Sequence, residues 1–278
     1  MRKLVLAGLV LASSLGTGSA MAADMPVKAP LYKAPPPVEV YSWTGFYVGG
    51  NVGGLWEHDS GNTHWVSVNA PAIVTNILQS QSFNPSSVIG GIHAGFNWQA
   101  SPWLVLGVEG DWEWTGPSST FCRTTDIGPA CTDTGRGFLT FNEKTRWLAS
   151  ARGRLGIVWD RVMLYGTGGA AWGRVNTSIN ANCLVAGCGF SNIQLNTTAS
   201  FNDTKTGWVA GVGIEAMLTA NWLVRAEYLH YDLGTFTDTL NLVGTVGAQT
   251  ATWSRRFTYD TARVGLSYKF GGPVVARY

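Results

Sequence analysis

Apolar and polar residues alternate with a period of two along most of this chain. Over 46–56, Phe46, Val48, Val52 and Trp56 share one parity, while Tyr47, Gly49, Asn51 and Gly53 share the other. Over 88–99, Val88, Ile92, Ala94, Phe96 and Trp98 oppose His93, Asn97 and Gln99. Over 103–114, Leu104, Leu106, Val108, Trp112 and Trp114 oppose Glu109, Asp111 and Glu113. Over 144–156, Trp147, Ala149, Ala151 and Leu155 oppose Lys144, Arg146, Ser150, Arg152 and Arg154. Segments near 162–173, 204–216, 222–233 and 256–270 follow the rule less cleanly. Successive side chains of a strand point to opposite faces, so the pattern predicts eight strands, each with one apolar face.

The connections alternate as well. Three are short: around Ser101-Pro102, around 159–161, and across 218–221. Four are long: 57–87, 115–143, 174–203 and 234–255. Outer-membrane barrels have short periplasmic turns and long external loops. A soluble sandwich has no reason to gather its long loops at one end. No apolar run reaches the roughly 18 residues of a spanning helix, and backbone in hydrocarbon must satisfy its own hydrogen bonds, which leaves a closed sheet. The expected fold is therefore all-β: an eight-stranded antiparallel transmembrane barrel with four long extracellular loops and short periplasmic turns.

Aromatic residues fall in two bands. Trp98, Trp103, Trp159, Trp222, Tyr268 and Phe270 lie near the short turns; Trp56, Trp112, Trp114, Trp147, Trp172 and Trp208 lie towards the long loops. Amphipathic rings favour both membrane interfaces. Soluble core packing would explain single tryptophans but not two bands.

The N-terminus sets the compartment. Met1-Arg2-Lys3 is positive, Leu4 to Ala12 is apolar, and Ala20-Met21-Ala22 fits a small-x-small cleavage site. Cleavage is expected after Ala22 or Ala23, so that the mature chain begins at Ala23 or Asp24. The domains read as a signal peptide over 1–22, a proline-rich periplasmic leader over 23–42, a barrel over 43–270 and an extension over 271–278. Prolines in the leader favour extended polyproline geometry. Charged residues are 13% of the chain, about half the usual share, as suits a surface facing lipid. A net charge of +2 gives no support for a nucleic-acid partner.

Cys122 and Cys131 form one close pair, Cys183 and Cys188 another. In an oxidising compartment two local disulfides are expected. Zinc is the alternative, weakened because neither pair has CxxC spacing and no histidine lies close by.

The inward parity is unusually ionic: Glu109, Asp111, Glu113, Lys144, Arg146, Arg152, Arg154, Glu215, Arg225, Glu227, Arg263 and Lys269. An eight-stranded barrel is just wide enough for side chains, so these groups are expected to pair across a filled lumen. An ion path is the competing reading. Gly166 to Ala171 fits GxGxxA, but no amphipathic helix follows it, so the glycines read as close-packed strand positions. No nucleophile–base constellation points to an enzyme, and no cofactor is implied. His58 and His64 lie in the first long loop, too few ligands for a metal site, and His93 reads as a lumen filler.

Residues 41–53, Tyr-Ser-Trp-Thr-Gly-Phe-Tyr-Val-Gly-Gly-Asn-Val-Gly, resemble the opening strand of the alpha-proteobacterial small outer-membrane surface antigens, the "porin family" or outer-membrane immunogenic proteins. Arg152 to Gly156, Tyr165 to Gly169, Arg225 to Leu229 and Arg263 to Phe270 resemble its later strands. The resemblance covers about 41–270 and implies an eight-stranded barrel and an abundant surface protein. Val264, Leu266, Tyr268 and Phe270 also resemble the C-terminal signal read by the barrel-assembly machinery, although residues 271–278 follow it here. Some relatives are joined to peptidoglycan through the N-terminal Ala of a mature Ala-Asp start, which Ala23-Asp24 would provide.

The expected role is a structural surface protein of the outer membrane that supports envelope integrity, with outer-membrane lipid and lipopolysaccharide as partners and a peptidoglycan tether as an extension. The alternatives are a narrow passive channel and loop-mediated binding of haem or a host surface.

Overall fold

The computed structural model describes residues 39–69, 73–124, 138–183, 195–244, 247–271 and 274–275. The signal peptide with Ala22 and Ala23, the leader as far as residue 38, and Cys131 and Cys188 lie outside the described residues, and so do both expected disulfides.

The described strands are β1 (Glu39–Val40), β2 (Gly45–Asn69), β3 (Ile73–Phe83), β4 (Ser86–Ser101), β5 (Leu104–Thr115), β6 (Ser118–Thr124), β7 (Phe138–Trp159), β8 (Val162–Cys183), β9 (Leu195–Met217), β10 (Trp222–Gly244), β11 (Gly247–Lys269) and β12 (Val274–Val275). Eight of them form a ring, in the order β2, β4, β5, β7, β8, β9, β10, β11, with every neighbouring pair antiparallel. β11 pairs back onto β2, from Lys269 opposite Tyr47 to Gly247 opposite Asn69, and closes it. Closure leaves no sheet edge within the ring, as hydrocarbon requires.

Alternation settles which side faces out. Val108 is 63% exposed and its neighbour Glu109 only 4%. Phe46, Val48, Val52 and Trp56 are exposed, whereas Tyr47 and Asn51 are buried. The aromatic bands lie on this outer wall; Trp147 and Trp172 are half-buried and the other ten members are exposed. From Trp159 to Trp147 a tilted strand climbs about 30 Å, the depth of a hydrocarbon core. The short turns are tight. Asp160, at φ 53°, takes the left-handed conformation that Asp tolerates better than most residues, and Thr219 Oγ1 accepts from the Asn221 and Trp222 amides.

The four long connections, expected as loops, are instead largely sheet. β2 continues to Asn69 and pairs with β3; β6 pairs with β7 from Ser118 opposite Lys144 to Thr124 opposite Phe138. β8 and β9 stay paired up to Cys183 opposite Leu195, and β10 with β11 up to Gly244 opposite Gly247. Above the ring, β9 and β10 part company: their ladder ends at Trp208 opposite Asp232. β10 continues on β11 after a register shift between Asp232 and Thr235, where Gly234 has φ 83°. The wall thus divides into two four-stranded sheets, β3–β2–β11–β10 and β6–β7–β8–β9. Arg255 on the first forms an ion pair with Glu143 on the second. Burial holds the Glu143 carboxyl above its ordinary range, against the opposing pull of Arg255.

At the other end β1 pairs with β12, Glu39 opposite Val275 and Val40 opposite Val274. The leader, where prolines were expected to block regular structure, and the C-terminal extension thus meet as a short two-stranded sheet. The residues that follow β1 are also held. Arg161 lies 4.1 Å over the Tyr41 ring, Lys269 Nζ donates to the Ser42 carbonyl, and the Trp43 amide donates to Gln99 Oε1 at 3.0 Å.

Candidate functional site

The lumen is filled in three layers. Towards the short turns, Trp43, Val105, Val158, Met163, Tyr165, Met217 and Leu223 form an apolar cluster, with Tyr41 packed against it. Towards the hairpins a second cluster contains Leu55, Ile89, Leu148, Val209, Leu229 and Tyr231 among others. Between them lies an ionic layer of five carboxylates (Glu109, Asp111, Glu113, Glu215, Glu227) and four guanidiniums (Arg152, Arg154, Arg225, Arg263), all buried.

Arg152 holds this layer together. Its Nη1 donates to Glu227 Oε1 at 2.9 Å, its Nε and Nη2 donate to Asp111 Oδ2 at 3.2 and 2.9 Å, and Nη2 also reaches Glu109 Oε1. Arg263 approaches Glu227 Oε2 with Nε and Nη2, at 2.8 and 2.6 Å, and pairs with Glu113 through Nη1. Arg154 Nη2 donates to Glu215 Oε2 at 2.9 Å, and its guanidinium lies 4.0 Å from the Tyr165 ring centre. Arg225 Nη1 donates to Glu109 Oε2. Arginine suits this role because its fixed fork serves several acceptors at once.

Phenols and imidazole complete the layer. Tyr47 OH donates to Glu109 Oε2 at 2.6 Å and accepts from Arg154 Nη1 at 2.7 Å. Tyr165 OH donates to Glu227 Oε1 at 3.1 Å. His93 sits between Ser267 Oγ, 2.7 Å from Nε2, and Asn51 Nδ2, 3.5 Å from Nδ1. Every strand of the ring contributes: Tyr47 from β2, His93 from β4, Glu109 from β5, Arg152 from β7, Tyr165 from β8, Glu215 from β9, Arg225 from β10 and Arg263 from β11. In a low-dielectric interior such cross-links fix strand positions, provided each charge keeps its partners. The two tyrosines carry the inward parity, and that was the only signal that would have named them.

Three of the expected inward charges stand elsewhere. Lys269 is buried, but it serves the Ser42 carbonyl at the periplasmic mouth. Arg146 and Lys144 are exposed on the outer wall. The reason is a β-bulge: Thr145 lies opposite Val175 and Trp147 opposite Arg174, so Arg146 is an extra residue in β7. One extra residue reverses the parity of everything beyond it. Above the bulge Glu143 and Thr145 turn inward instead.

The outer membrane protein beta-barrel domain model matches residues 10–270. The chain is 32% identical over 279 residues to the 31 kDa outer-membrane immunogenic protein of Brucella melitensis biotype 1, covering 97% of this chain and all of that protein. It is 26% identical over 230 residues to the 22 kDa outer membrane protein of Rhizobium leguminosarum bv. viciae, covering 82% of this chain and 79% of that one. Among solved structures, Neisserial surface protein A is 14% identical with a TM-score of 0.36, covering 82% of this chain and 98% of that one.

Proposed function

Since the chain belongs to the outer membrane protein beta-barrel domain family and resides in the bacterial outer membrane, we propose that it is a non-conducting structural barrel that braces the envelope and carries long β-hairpins on the cell surface. The observation that supports this reading is the stacking of the lumen. An ionic layer cross-linked between all eight strands lies between two apolar clusters. A permeating ion would have to leave water twice for an apolar layer, and each such transfer is costly. A channel, the runner-up, would need a continuous polar path past Trp43 and Leu223 below and past Leu148 and Leu229 above.

Conductance of the refolded mature protein in a planar bilayer tests the reading. The expected record is a flat baseline under applied voltage. Reproducible discrete openings would overturn it in favour of the channel. A peptidoglycan link through Ala23 would extend the bracing role, and mass spectrometry of lysozyme-released fragments checks it; absence of a stem-peptide adduct would remove that extension. Outer-membrane lipid and the barrel-assembly machinery are the partners this reading requires, and it assigns the chain no enzymatic chemistry.

A further inference from the structure

Nearly every described cation has a partner. Arg152, Arg154, Arg225 and Arg263 pair inside the lumen, Arg255 pairs with Glu143 and Arg256 with Asp232, Lys205 pairs with Asp203, Lys269 serves a carbonyl, and Arg161 covers Tyr41. Lys144, Arg146 and Arg174 differ. All three are exposed, and no carboxylate among the described residues pairs with them. They are also neighbours. Arg146 is the bulged residue beside the Trp147–Arg174 pair, and Lys144 lies opposite Asn176 on the same two strands. By strand geometry the three charges share a patch about 10 Å across.

The depth of this patch gives it meaning. Trp147 stacks on Trp112 with ring centres 4.4 Å apart, and Trp114 is its cross-strand partner. These rings belong to the upper aromatic girdle. Arg174 therefore stands level with the girdle, and Arg146 and Lys144 stand just beyond it, facing outward. That is where headgroups of the outer leaflet begin. The other outward side chains around them are Ser118, Asn176 and Thr204, none of them acidic. Like charges set side by side are destabilising unless an anion lies between them.

We propose that Lys144, Arg146 and Arg174 form a site on the outer wall for the anionic headgroup of an outer-leaflet glycolipid, with Trp112 and Trp147 packing against its acyl chains. The bulge at Arg146 creates the site, because without it Arg146 and Lys144 would point into the lumen. The proposal needs only the barrel's place in the outer membrane, so a conducting lumen would leave it intact.

The test titrates bisphosphoryl lipid A into the refolded full-length mature protein in neutral detergent micelles, read by tryptophan fluorescence and by heat-modifiability on gels. Saturable binding that weakens with salt is expected. The triple variant Lys144→Gln/Arg146→Gln/Arg174→Gln is expected to bind roughly a hundredfold more weakly at low salt, about fivefold for each charge removed. Arg256→Gln, which removes an outward cation already paired with Asp232, is expected to bind as the parent does. If the triple variant does not refold, Arg146→Gln alone is expected to lose about fivefold. Parent-like binding by the folded charge variant would overturn the proposal. Equal binding of dephosphorylated lipid A, or full competition by the same concentration of inorganic phosphate, would also overturn it. Binding of heparin without binding of lipid A would replace it with a soluble polyanion site.

Discussion

Arg152 on β7 reaches Glu227 on β10 at 2.9 Å, a contact that spans three strand steps around the ring while the same guanidinium also serves Glu109 and Asp111. Removing this one side chain leaves three buried carboxylates short of a partner. Arg152→Ala is expected to lower unfolding stability by about 3–5 kcal/mol. Urea titration of the protein refolded into phospholipid vesicles measures it. A loss below about 1 kcal/mol would mean that the pairs behave like surface pairs and that the lumen is wet.

The outer wall makes the opposite demand. Val108 and Ala151 are exposed in mid-strand, so Val108→Arg or Ala151→Arg places a charge in hydrocarbon at a cost of about 2–4 kcal/mol. Thr237→Arg, which faces outward above the girdle, is expected to cost less than about 1 kcal/mol. The same urea titration compares them, and equal costs would place the bilayer at the wrong height.

The position of Arg146 has a direct chemical test. In a background with the four cysteines replaced by serine, Arg146→Cys is expected to react quickly with a membrane-impermeant maleimide in the protein refolded into neutral, glycolipid-free detergent micelles. Arg152→Cys is expected to stay unlabelled until the protein is unfolded. Protection of the first would return Arg146 to the lumen.

Two glycines of the 166–171 stretch separate close packing from open space. A Cβ at Gly169 would collide with the Ala151 carbonyl and come within 2.7 Å of the Arg152 Cα, whereas one at Gly166 would meet nothing within 4 Å. Gly169→Ala is therefore expected to cost at least about 2 kcal/mol, because backbone has to move, and Gly166→Ala to be nearly neutral. Heat-modifiability and urea midpoints distinguish them.

Much of this was legible in the sequence, and the gaps have physical causes. Where a strand crosses lipid around a polar layer, as at Val108 and Glu109, the period of two is clean. At Tyr228–Leu229–Tyr231 both parities are apolar, because Leu229 and Tyr231 fill the upper cluster from inside while Tyr228 faces out. The less regular alternation there marked an apolar lumen layer rather than a weaker strand. Above the bilayer no apolar face is required, so stretches such as Asn176-Thr177-Ser178 and Thr237-Asp238-Thr239 read as loops although they are strands. The bulge at Arg146 leaves no compositional trace. It shows only when β7 is aligned against β8.

The ladder between β11 and β2 is unbroken from Lys269–Tyr47 to Gly247–Asn69, whereas that between β9 and β10 stops at Asp232–Trp208. The join between the first strand of the ring and the last brings together the residues farthest apart along the chain. In this protein that seam is also among the longest, so lateral unzipping would start between β9 and β10, two strand steps from the join.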